Sequence, residues 1–80
     1  MNKLNSMSTL LRNLLVDMHD ENQKIMAQSI IARENYDYEE CFRLQREYIQ
    51  KSRIEFDVYE KGLENLEKEL HEQQFPKPEE

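Results

Sequence analysis

The residues that could do chemistry in this 80-residue chain are two histidines, one cysteine and several adjacent carboxylates. His19 and His71 are the only histidines. Neither sits in His-Glu-x-x-His or Glu-x-x-His, the spacings that put two metal ligands on one helix face. Cys41 stands without the nearby base and oxyanion donor that a nucleophilic thiol needs. It reads as a structural thiol. Glu39 and Glu40 are adjacent, but their spacing suits ion pairing along a helix: Glu39 with Arg43, and further on Glu47 with Lys51. A single glycine, Gly62, excludes a Gly-rich phosphate loop. The expectation is therefore a protein that is not an enzyme, with no catalytic residue, no cofactor and no metal.

Charge offers a second kind of chemistry. Arg43, Arg46, Gln50 and Arg53 recur at helical spacing, with Lys51 beside them. They form either a solvated, ion-paired face or a docking ridge for an acidic partner. The net charge is -6. Residues 1–54 hold eight acids and eight bases, and residues 55–80 hold nine acids against three lysines. That excess at one end opposes phosphate-backbone binding, so a protein partner ranks above nucleic acid.

These groups need helices to position them. Charged residues make up 35% of the chain, and both prolines fall in the last five residues. That composition fits long solvated helices, because a sheet protein would need turn residues at regular intervals. From Asp37 to Leu70, a three- and four-residue spacing picks out Tyr38, Phe42, Gln45, Ile49, Ser52, Phe56, Tyr59, Leu63, Leu66 and Leu70. This is a heptad stripe that must be buried by another helix. The first half carries Leu4, Met7, Leu11, Leu14, Met18, Glu21, Ile25, Gln28 and Ala32 at the same spacing.

The break between the two stripes falls at residues 34–37. Asn35 tolerates the left-handed conformation that ends helices, and Asp37 with Glu40 resembles a capping box. The pattern predicts a first helix over about 7–34, continuous through the polar run at 19–24, and a second over about 38–73. Gly62 weakens the second helix, and residues 76–80 form a flexible tail after one hairpin domain spanning 1–75. A single long helix is the alternative.

Two helices joined by a short turn pack antiparallel. Folding about residues 36–37 sets Gln28 level with Gln45 and Glu21 level with Ser52. Apolar residues off the stripes then form a second seam: Leu10, Leu15, Met26 and Ile30 on the first helix, Leu44, Tyr48, Ile54 and Val58 on the second. Bare, they exceed what a monomer usually exposes. The expected fold is all-α: a coiled-coil-like antiparallel hairpin that dimerises into a four-helix bundle.

Residues 32–46 resemble the UVR motif, a short helical hairpin of bacterial excision-repair proteins and stress-response adaptors. Ala32, Tyr38-Glu39 and Leu44 match. Cys41-Phe42 stands where the motif has two small residues, and Gln45-Arg46 where it has Arg-Asp. The resemblance implies a dimerising, protein-docking hairpin.

The function expected is non-enzymatic protein binding by a small adaptor, regulator or inhibitor whose partners are itself and another protein. A self-assembling scaffold subunit and an acidic nucleic-acid mimic are the alternatives. With one cysteine and no apolar run long enough for a membrane span, a cytoplasmic location is expected.

Overall fold

The computed structural model describes residues 3–74. It contains two helices, α1 (Lys3–Glu34) and α2 (Tyr38–Gln74), packed against each other as a hairpin. The ribbon is 67 Å long, 20 Å wide and 13 Å thick. α1 begins four residues earlier than the pattern predicts and passes unbroken through residues 19–24. No Gly or Pro interrupts that run, so helical hydrogen bonding continues through it. The predicted tail at 76–80 lies outside the described residues.

The turn is a Schellman closure. Asp37 N–H donates to the Ala32 carbonyl at 2.9 Å, and Tyr36 N–H donates to the Arg33 carbonyl at 3.0 Å. The left-handed residue is Tyr36, at φ 60°, and not Asn35. The two bonds satisfy carbonyls at the end of α1 and hold a bulky residue where glycine is usual. Tyr36 itself is 80% exposed. The carboxylate of Asp37 then accepts from Glu40 N–H at 3.2 Å and caps α2. Only half of a capping box forms, because the Glu40 side chain bonds Arg43.

The sequence pattern and the structure part company over which face turns inward. Leu4, Met7, Leu11, Met18, Ile25 and Ala32 line the inner side of α1 as expected, but Leu14 is 49% exposed with Leu15 half-buried in its stead, and Asn22 and Ser29 are buried where Glu21 and Gln28 were predicted. On α2 the inner side is Cys41, Leu44, Tyr48, Ser52, Glu55, Val58, Gly62 and Leu66. Ser52 and Leu66 apart, these are not the heptad stripe. Tyr38, Phe42, Ile49, Phe56, Tyr59, Leu63 and Leu70 remain 41–66% exposed. Small side chains explain the choice. The distance between packed helices is set by the side chains at the contact. Ser29, Ala32 and Cys41 therefore let the helices draw together near the turn. Further along, both methyls of Leu11 sit over Gly62, 2.5 and 2.6 Å from where a Cβ would lie.

The expected register is met to within a few residues. Leu11 opposes Gly62, and Asn22 donates to Glu55 at 2.9 Å. The polar match across the seam is therefore Asn22 with Glu55, not Glu21 with Ser52. The hydroxyl of Ser29 donates to the Met26 carbonyl at 2.6 Å. Among the described residues no buried side-chain polar atom lacks a partner. That is the condition under which a polar seam can be kept in a thin core.

Candidate interaction surface

Only Ala32, Cys41 and Leu44 form the fully buried apolar core among the described residues. The larger apolar side chains gather on the outside. On α2 the exposed stripe climbs from Tyr38 to Leu70 along a flank of the interhelical seam. Three grooves show which part of α1 shares that side. One, of about 520 Å³, is lined by Leu11, Leu15 and Val16 of α1 together with Tyr59, Leu63 and Leu66 of α2. A second joins Leu4 to Leu63, Leu66 and Leu70, and a third joins Ile30 to Tyr36 and Tyr38. One broad side of the ribbon thus gathers large apolar side chains at three places, with Arg12, His19, Asp20, Arg33 and Glu34 also lining the grooves. The opposite side carries a smaller groove of about 300 Å³, where Asp17, Glu21 and Lys51 surround Met18 and Ile54.

The residues expected to make a second seam divide between inside and outside. Leu10, Ile30 and Ile54 stay exposed at 70%, 51% and 57%. Leu44 is buried between the helices, and Leu15, Met26, Tyr48 and Val58 are half-buried. Leu44, Tyr48 and Val58 therefore serve the hairpin itself. The stripe read as the inner seam takes the outer position they were given. Leu44, Tyr48 and Val58 exchange places with most of the stripe, while Ile54 stays outside, because Cys41, Ser52 and Gly62 on their side of α2 let α1 approach closely.

The basic ridge also divides. Arg43 is held by Glu40 through a bidentate contact and lies 3.5 Å from Glu47. The expected partners, Glu39 for Arg43 and Lys51 for Glu47, are not the ones used. The Arg43 guanidinium holds the Glu40 carboxyl below the usual glutamate range, and Glu40 in turn raises Arg43. Arg46 and Arg53 are exposed and form no ion pair with any described residue.

Other ionic contacts lie along and between the helices, among them Lys24 with Glu21 at 3.1 Å on the surface of α1. Lys3 meets Glu69 at 3.5 Å and clasps the open end, and Lys61 meets Asp57 at 3.2 Å on the surface of α2. His19 Nδ1 lies 3.8 Å from the half-buried carboxylate of Glu55, which Asn22 also holds. Sequence spacing could not reveal this cluster, because Glu55 lies 33 or more residues from His19 and Asn22 and hides in a helix face full of charge.

Among the described residues no group of three His, Cys, Asp or Glu is placed to hold a metal ion. No described helix is long and apolar enough to cross a membrane. Compared with known proteins, the chain matches no family model, no curated protein and no solved structure.

Proposed function

We propose that this chain is a non-enzymatic protein-interaction module that acts through the apolar side of its hairpin, self-associating into a four-helix bundle. The observation that carries this reading is the exposed stripe from Tyr38 to Leu70. Seven large apolar side chains on one helix flank, 41–66% exposed, are more than a stable monomer leaves bare. A ribbon 13 Å thick has no interior in which to hide them. Burying them against other helices supplies the apolar area that a chain of this size lacks alone. The UVR resemblance, which implies a dimerising docking hairpin, points the same way.

Sedimentation across a concentration series tests the proposal. The expected result is a mass above that of one chain, falling toward it on dilution. Phe42→Glu with Phe56→Glu should abolish association while far-UV circular dichroism stays helical, since both side chains are more than half exposed in the hairpin. A chain that stays monomeric and cooperatively folded at every concentration would refute it.

A further inference from the structure

We infer that the occupant of the α2 stripe is a second copy of this chain, docked antiparallel about Phe56. This rests on the self-associating reading above and adds its orientation and register. Beside the stripe, on the flank away from α1, one position recurs every seven residues: Glu39, Arg46, Arg53, Glu60, Glu67 and Gln74. All six are exposed. The middle four read Arg, Arg, Glu, Glu, and Phe56 lies between the two signs at the midpoint of α2. A two-fold axis through Phe56 turns the positive half of this row onto the negative half. Arg46 then faces Glu67 of the second copy, and Arg53 faces its Glu60, each contact occurring twice.

The same rotation sets Phe42 near Leu70 of the second copy, Ile49 near its Leu63, and Phe56 against its own counterpart. One operation therefore matches both the apolar and the charged rows, which is what an isologous interface requires. In a parallel two-fold arrangement the rows of the two copies would lie on opposite sides of the contact, so Arg46 and Arg53 would not meet Glu67 and Glu60. A partner helix of uniform charge would leave half the row facing its own sign.

Two further observations fit a second copy. Arg46, Arg53, Glu60 and Glu67 form no ion pair with any described residue, whereas Arg43, Lys61 and Lys3 are engaged within the hairpin. The broad side, 67 Å by 20 Å, is also larger than the roughly 800 Å² per partner of a standard stable interface. Because Leu15 and Val16 share a groove with Tyr59 and Leu63, the contact extends from α2 onto α1.

The test uses two full-length variants in a Cys41→Ala background, Arg53→Cys and Glu60→Cys. They are mixed in equal amounts in a glutathione redox buffer, and the disulfide products are weighed by mass spectrometry. The mixed 53–60 disulfide should exceed its random share several-fold. A companion set keeps Cys41. Arg46→Glu with Arg53→Glu, or Glu60→Arg with Glu67→Arg, should each weaken dimerisation at least about tenfold, and all four changes together should restore it.

A dimer that yields the two like disulfides, or ignores both charge reversals, would overturn the antiparallel register while leaving self-association standing. A wild-type chain that is monomeric by sedimentation would overturn both.

Discussion

Replacing Gly62 with Ala tests how α1 and α2 fit together. In an ordinary exposed helix the change stabilises by about 1 kcal/mol, because glycine is the weaker helix former. Here the new methyl would lie 2.5 and 2.6 Å from the Leu11 methyls and 3.1 Å from its Cγ. Relaxed carbon contacts need about 3.5–4.0 Å, so both methyls must retreat by roughly 1 Å or more. Turning the isobutyl end alone does not suffice, since Cγ is also too close and moves only if χ1 or the backbone moves. Overpacking of this kind costs about 1–3 kcal/mol.

The net effect of Gly62→Ala in the native sequence is therefore a loss of about 0–2 kcal/mol. In a Leu11→Ala background the obstruction is gone, and the same change should stabilise by about 1 kcal/mol. The two sites are thus coupled by about 1–3 kcal/mol. The assay is urea unfolding followed by far-UV circular dichroism for all four chains. Protein concentration is held fixed, so that association contributes equally to each. If Gly62→Ala stabilises both backgrounds alike, to within about 0.5 kcal/mol, Leu11 does not sit on Gly62 and the packing argument fails.

Three further outcomes follow from the turn, the polar seam and the surface ion pair. Tyr36→Gly should raise stability by about 1 kcal/mol in the same assay, because the left-handed conformation penalises a side chain and this one is exposed. No gain would mean that the turn relaxes out of that conformation. Asn22→Ala should cost about 1–3 kcal/mol by removing the donor to Glu55, whereas Asn22→Leu with Glu55→Leu should be neutral or stabilising and loosen the register. An equal loss in both variants would show that the seam depends on shape and not on the bond. Arg43 lowers the Glu40 pKa, so that contribution is complete above the ordinary glutamate pKa and disappears as pH falls through the lowered one. Arg43→Ala should move the Glu40 titration, followed by carboxyl NMR, to higher pH; an unmoved titration would remove Arg43 as the cause.

The hairpin, its turn and its approximate register were legible before any coordinates. Two heptad stripes meeting at the capping signal of Asp37 favour a hairpin over the single long helix that was the alternative, and folding about residues 36–37 places Leu11 level with Gly62, as found. The inward face of α2 was not legible. Apolar periodicity weights Phe42, Phe56 and Leu63 heavily and gives nothing to Glu55 or Gly62. Close packing of two helices favours small residues such as Cys41 and Gly62 at the contact, and the Phe42 and Phe56 rings stay outside. On α1 the error is one residue, Asn22 for Glu21 and Ser29 for Gln28, which is about 100° of helix rotation. The left-handed Tyr36 was hidden for a different reason. Asn35 is the better residue for that conformation, but the hydrogen bonds from Asp37 and Tyr36 end the helix one position later.

The Lys3–Glu69 clasp and the Schellman turn lie at opposite poles of the 67 Å ribbon. Tension applied at Lys3 and Gln74 would therefore peel the helices apart instead of sliding them past each other. The clasp and the end where Leu4, Leu66 and Leu70 line one groove would part first, then Leu11 from Gly62, then Asn22 from Glu55. Ser29, Ala32 and Cys41 would separate last. Contacts loaded one after another yield at low force, so a tethered hairpin would act as a soft, stepwise-opening link whose last hold is the end with the smallest side chains.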